Sequence, residues 1–181
     1  FVIAKGTFDA MKAAGLAAFR ETLASLSPAI ADRVGAIDDW SKVSLLEVRV
    51  DRLTRWHRPG LLCIGDAAHA MSPIGGVGIN LAVQDAVAAA NELAAPLLAG
   101  AGTDAALESI QTRRTFPTKV TQGFQLFIQD RAIHPLLHGF EMTHPPAPLH
   151  WLDEFPYLRR FPARLIGMGA RPEHVRTPNA F

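Results

Sequence analysis

The chain reads as an α/β protein of α+β character, with short strands near the front and long helices behind them, and three observations carry that expectation. The apolar run Leu61-Leu62-Cys63-Ile64 follows the turn signal Pro59-Gly60 and stops at Gly65-Asp66. A run of that length between turn residues predicts a strand covered on both faces. The glycines of residues 75–78 then feed an Ala- and Leu-rich stretch, and residues 103–128 carry a second long helical period.

Taken in order, residues 1–4 (Phe-Val-Ile-Ala) predict a strand. Thr7 is placed to cap a helix with Phe8, Met11, Phe19, Leu23 and Leu26 on one broad face. Ser27-Pro28 predicts a helix restart, with serine as cap and proline at the first position, and Gly35 is expected to end it. Residues 43–50 alternate, with Leu46, Val48 and Val50 on one side and Glu47 and Arg49 on the other, as in a half-exposed strand. The helix opening near Gly78 is interrupted by Gln84, Asp85, Asn91 and Glu92, whereas a membrane-spanning helix needs about 20 mainly apolar residues. A buried helix of a soluble protein is the expectation, with no transmembrane segment. Asp85 falls two turns in and reads as a packing or capping partner.

Gly100-Ala101-Gly102 turns the chain, and Thr103 is placed to cap a helix in which Leu107, Ile110, Val120, Phe124, Phe127 and Ile128 recur at helical spacing. Pro117 is expected to kink it. The pattern shortens beyond His134-Pro135, and residues 143–148 form a proline-rich connection. In the tail, Phe155, Tyr157, Leu158, Phe161, Leu165 and Ile166 alternate with Arg159, Arg160 and Arg164, as in a packed terminal element whose arginine stems lie over apolar surface.

Composition narrows the classes. The 181 residues are 49% hydrophobic, with a formal charge of +1, enough for a substantial core. No Lys/Arg block is present, so nothing marks a nucleic-acid partner. The single cysteine, Cys63, permits no internal disulfide and fits a reducing cytoplasm. His134, His138, His144 and His150 raise a metal site, but only the first pair has helical spacing, Pro135 disturbs it, and no carboxylate joins them; no metal is expected.

The chemistry concentrates at residues 65–80. Asp66 at a strand end can accept hydrogen bonds from ligand hydroxyls, and Gly65 beside it allows close approach to the backbone. Gly75, Gly76 and Gly78 free the loop to turn its main-chain N–H groups outward, and the helix beginning at Gly78 favours negative charge in front of it. A polar, partly anionic ligand suits such a site.

Gly65-Asp66-Ala67-Ala68-His69, followed by Pro73 and the stretch Gly75-Gly76-Val77-Gly78-Ile79-Asn80, resembles the second FAD-binding motif of the flavin-dependent aromatic hydroxylases, the para-hydroxybenzoate hydroxylase family. Lys5-Gly6, Arg49-Val50-Asp51-Arg52-Leu53, Trp56, Gly167 and Arg171-Pro172-Glu173-His174 resemble the same branch. The resemblance implies that Asp66 holds the ribityl chain and that the backbone of Gly75, Gly76, Val77, Gly78, Ile79 and Asn80 faces the N1 and C2 carbonyl edge of the isoalloxazine. It places Pro73 beside the oxygen-transfer face, as the catalytic position. It implies an NAD(P)H-reduced, O2-dependent monooxygenase that hydroxylates a small aromatic substrate through a flavin hydroperoxide. It implies the C-terminal portion of a Rossmann-like FAD-binding domain: residues 1–55 ending a substrate-domain sheet, 56–131 completing the FAD domain with long helices, and 132–181 a helical tail.

The G-x-G-x-x-G turn that would bind the ADP half of FAD is absent, as is the family's middle Asp-Gly motif. The expectation is therefore the C-terminal part of a longer enzyme, one that binds FAD poorly alone and whose bared interface favours self-association as a homo-oligomer. Other readings stay open. Asp66 suits a turn or capping role, the glycines a turn that binds nothing, and His69 a structural hydrogen bond to the loop. Trp56-His57-Arg58 suits either a substrate or nicotinamide contact or a surface turn. The whole suits either a flavoprotein dehydrogenase or reductase without oxygen insertion, or a non-catalytic interaction module.

Overall fold

A computed structural model describes residues 1–137 and 154–176. The chain divides into two compact units, Phe1–Glu47 and Val48–Phe181. It is mostly helical, with one small two-stranded sheet.

The first unit contains helices α1 (Phe8–Ala14) and α2 (Leu16–Leu26), followed by single 3-10 turns at Pro28–Ile30, Val34–Ala36 and Trp40–Lys42. The expected single helix is broken at Gly15, whose φ of 93° is unsuited to residues with a side chain. Its core is aromatic: Phe19 is buried, with its ring 5.1 Å from Trp40 and 6.0 Å from Phe1, while Phe8 meets Trp40 edge-on at 6.0 Å. Thr7 does not cap α1 with its side chain; its hydroxyl donates to the Ala4 carbonyl at 2.8 Å. Pro28 opens only a 3-10 turn, and Gly35 lies inside another rather than ending a helix.

Neither strand expected in this region forms. Residues 1–4 and 43–50 have no ladder partner among the described residues, and Leu46 and Val48 are exposed. Alternation favours a strand only where a neighbour pairs its backbone.

The second unit begins with an extended segment whose Asp51 and Leu53 amides donate to the Ala70 and Ala68 carbonyls at 3.1 and 2.8 Å. A hairpin follows: β1 (His57–Arg58) pairs antiparallel with β2 (Leu61–Leu62) around Pro59-Gly60. The expected strand over residues 61–64 is thus corrected to a two-residue hairpin arm, with Leu61 55% exposed. Among the described residues β1 alone pairs with it, and Leu62, Cys63 and Ile64 are half-buried rather than enclosed.

Helices α3 (Gly78–Leu98) and α4 (Asp104–Ile128) pack together, and α4 runs through Pro117 as one element before a π-helical turn at Gln129–Ile133 and α5 (His134–Leu137). A last helix, α6 (Arg160–Met168), follows a 3-10 turn. Helix α3 is not buried all round: Leu81, Asp85 and Ala88 face inward, while Ile79 and Val83 are 72% and 58% exposed. None of the helices is long and apolar enough to cross a membrane among the described residues.

The buried residues of this unit include polar side chains about as often as apolar ones. Trp56, Ala68, Val77, Leu81, Ala88, Leu107 and Ile110 share the interior with His69, Ser72, Asp85, Arg114, Thr118, Gln122 and Gln125. Such polar groups are tolerated inside only when hydrogen-bonded.

Candidate functional site

After β2 the chain makes a 3-10 turn at Gly65–Ala67. Gly65 is required there twice over: its φ is +57°, and a Cβ would lie 3.0 Å from the Ala82 Cβ on α3. Its carbonyl accepts from the amides of Ala68 and His69, both at 2.9 Å. Asp66, at the apex, is exposed, while Ala68 and His69 are buried behind it.

The turn is anchored by Asp85. One carboxylate oxygen accepts from the Gly65 amide at 3.1 Å and from His69 Nε2 at 2.6 Å; the other accepts from Arg114 Nε at 2.8 Å. The Asp85 and Arg114 side chains are both 0% exposed. Burial works against a charge on Asp85, but the hydrogen bonds from His69, Arg114 and Gly65 outweigh it and hold the carboxyl below its ordinary range. An ionised carboxylate only accepts, so His69 carries a proton on Nε2. Its Nδ1 is buried without a hydrogen-bond partner, and its ring lies 5.1 Å from that of Trp56.

The following loop is held from behind by α4. Gln122 Nε2 donates to the Asp51 and Ala70 carbonyls at 2.8 and 3.1 Å, and Gln125 Nε2 to those of Ser72 and Ile74 at 2.7 and 3.0 Å. Pro73 is exposed and precedes a 3-10 turn at Ile74–Gly76, closed by the Gly76 amide on the Pro73 carbonyl at 3.0 Å. Gly75 and Gly76 are exposed with φ of +79° and +62°, and nothing lies within 4 Å of where a Gly76 Cβ would stand. The backbone here opens onto free space.

Val77 turns its side chain inward, Gly78 starts α3, and Ile79 points out. The Leu81 amide closes on the Val77 carbonyl at 3.2 Å, and the amides before it precede any i−4 acceptor within the helix. Asn80 Nδ2 donates to the Gly167 carbonyl at 3.4 Å, and Gln84 Nε2 to that of Met168 at 2.9 Å, bringing the end of α6 to the first turns of α3. A shallow apolar dimple lies beside Val77, lined by Val120, Thr121 and Phe124 of α4 and by Leu165 and Ile166 of α6.

The structure therefore brings Gly65, Asp66, Pro73, Gly75, Gly76, Val77, Gly78, Ile79 and Asn80 onto one turn–loop–helix segment, with α3 packed directly on Gly65. Sequence reasoning missed the supports. Arg114, Thr118, Gln122 and Gln125 continue the helical stripe begun by Leu107 and Ile110, so following that period with polar residues included would have found them. The apolar reading followed Phe124 and Phe127 instead, and Phe127 is exposed. No group of three His, Cys, Asp or Glu side chains that could hold a metal occurs among the described residues. His138, His144, His150 and the connection at 143–148 lie outside them.

A positive-φ glycine loop runs into a bare helix start, preceded on the same segment by the exposed Asp66 carboxylate, and backbone of this kind is able to receive anionic groups. Residues 2–123 match the family described as "FAD binding domain", and the chain belongs to that family. It is 47% identical over 83 residues to the 6-methylpretetramide 4-monooxygenase of Streptomyces rimosus, a match covering 45% of this chain and 20% of that protein. Over 42 residues it is 57% identical to the kynurenine 3-monooxygenase of Xanthomonas oryzae pv. oryzae and 55% identical to that of Stenotrophomonas maltophilia. The 42-residue matches cover 23% of this chain and 9% of each relative.

Proposed function

We propose that this chain forms the ribityl- and isoalloxazine-holding part of an FAD-dependent monooxygenase that hydroxylates a small aromatic substrate with NAD(P)H and O2. One observation carries the reading: the exposed Asp66 turn is followed by a glycine loop with open space in front of Gly76, and the loop leads into the N-terminus of α3. These residues suit a flavin, because the space in front of Gly76 is open and lets a ring approach the backbone, and Asp66 offers only acceptors, suited to sugar-alcohol hydroxyls. Bound FAD supplies two-electron redox chemistry and the activation of O2.

The chain's own residues do the rest. Asp66 accepts from the ribityl hydroxyls and orients that arm. The amides of Gly75, Gly78, Ile79 and Asn80 face the electron-rich edge of the ring, where a helix N-terminus favours negative charge by roughly 0.3–2 kcal/mol, while the Gly76 amide closes the turn on the Pro73 carbonyl. Pro73, exposed and without an N–H, presents an aprotic surface at the substrate side. The buried Val77 side chain excludes water from the other side of the loop. The named relatives support oxygen insertion over simple dehydrogenation. Residues 56–131 as the end of a Rossmann-like FAD domain, and the cytoplasm as location, belong to the same proposal.

Replacing Asp66 with Ala removes hydrogen bonds to a charged acceptor, each contributing about 1.5–3 kcal/mol. FAD retention in the purified protein is expected to weaken about 10- to 100-fold, read from flavin absorbance after desalting. Equal flavin content in the variant and the parent would refute the assignment. Coupled NAD(P)H and O2 consumption with hydroxylated product separates a monooxygenase from a reductase, and a colourless oligomer would favour an interaction module.

A further inference from the structure

The C-terminal segment after α6 reaches the candidate site through buried charges. Glu173, its side chain 1% exposed, receives Arg113 Nε at 2.6 Å and Arg113 Nη2 at 2.9 Å, and its Oε1 lies 3.5 Å from Arg114 Nη1. The same Nη1 donates to the Arg171 carbonyl at 3.1 Å, and Arg114 Nη2 to Gln84 Oε1 at 3.4 Å. On its other side Arg114 grips Asp85, which holds the Gly65 amide and His69. A second attachment is reciprocal: Asn91 Nδ2 donates to the His174 carbonyl and Asn91 Oδ1 accepts from the Arg176 amide, both at 2.8 Å.

We propose that residues 171–176 are a strap that positions the Gly65–Asp66 turn through the relay Glu173–Arg114–Asp85, so that Glu173 and Arg114 act as positioning residues for the ligand at that turn. Arg114 is the pivot of the relay. Its guanidinium is planar, and its donors are fixed in one fork. Asp85 takes the Nε side, and the strap takes Nη1 with a carboxylate and a carbonyl. With the strap displaced, buried donors lose their partners, and a buried cation without its full complement recovers only by rotating or admitting water. Either movement disturbs the oxygen pair of Asp85. Because one oxygen of that pair is the partner of the Gly65 amide, the disturbance arrives at the turn that carries Asp66. Arg113 and Arg114 balance Asp85 and Glu173 in charge, so removing one carboxylate leaves the cluster with an excess cation.

The consequence for flavin rests on the function proposed above, so the test reads the turn and the ligand separately. Hydrogen exchange of assigned amides is followed in the purified chain, in the parent and in Glu173→Gln, which keeps the shape of the side chain. Arg176→Ala serves as a variant of the strap outside the relay, since the exposed Arg176 side chain meets half-buried Glu92 at 3.4 Å. Exchange at Gly65 and His69 is expected to accelerate about tenfold in Glu173→Gln, with Leu81 in α3 unchanged, and Arg176→Ala is expected to leave Gly65 as in the parent. Unchanged Gly65 protection in folded Glu173→Gln overturns the strap. If Glu173→Gln lowers helix content throughout, exchange in Arg113→Lys is read in its place by the same criterion. FAD titration is run alongside, and the dissociation constant is expected to rise about 5- to 20-fold in Glu173→Gln. A loosened Gly65 in Glu173→Gln with an FAD dissociation constant equal to the parent's keeps the strap and rejects flavin as the ligand of that turn; a raised constant with an unmoved Gly65 does the reverse.

Discussion

Asp85 shows how much one side chain can organise when it is buried with all of its acceptors used. It ties a helix to a turn amide, a histidine and an arginine, and each partner stabilises its ionised form. The folded carboxyl is therefore more acidic than the unfolded one, whose value is about 3.9. As pH falls, the unfolded state takes up its proton first, so the stability from Asp85 is present above about pH 4 and is lost as pH drops through the depressed folded value. Asp39, held down chiefly by the Ser41 amide, titrates in the same direction in the first unit. Replacing Asp85 with Asn is expected to cost about 3–5 kcal/mol at pH 7, because Arg114 is left buried without its anion, and to flatten the acid limb of the stability profile. Chemical denaturation across pH measures both; an unchanged acid limb in Asp85→Asn would remove Asp85 from the account. Asp85 was legible as a packing residue from its place in the helix, but its partners were not, because His69, Arg114 and Gly65 come from three separate stretches of chain.

At the scale of elements, the segment from the Gly65 turn to α3 was readable because its signals are local. Glycine marks positive φ, proline marks turn entry, and helix onset follows from periodicity, and each is set by neighbours in sequence. The strands were misjudged for the opposite reason. Residues 43–50 alternate as a strand should, yet pairing depends on a neighbour that no local pattern supplies. Helix α4 gives the third lesson, since its buried stripe passes from Leu107 and Ile110 to Arg114, Thr118, Gln122 and Gln125, and hydrophobicity alone lost the track halfway. The contact between the turn and α3 yields a specific expectation. Gly65→Ala places a methyl 3.0 Å from Ala82 Cβ at a φ of +57°, and is expected to destabilise the fold by about 1–3 kcal/mol. In a double-mutant cycle Ala82→Gly should relieve the steric share and leave the backbone share. Strict additivity of the two changes would mean that turn and helix do not touch as described.

For the whole molecule, the second unit has an interior shared between apolar and hydrogen-bonded polar groups, with its polar half clustered behind the candidate site. Apolar packing tolerates substitutions of similar volume, whereas a network of amides and charges holds a loop in one conformation. That division matches a scaffold whose task is to present Asp66 and residues 75–80 in fixed register. It also explains why family membership was visible early, through a contiguous motif, while the supporting network emerged only from the fold. The most direct measurement is a titration of the isotope-labelled chain with FAD, following amide chemical shifts residue by residue. The account predicts that the largest changes fall on Asp66 and on Gly75, Gly76, Gly78, Ile79 and Asn80, and that Asp66→Ala weakens them; changes centred elsewhere, or equal in Asp66→Ala, would contradict it.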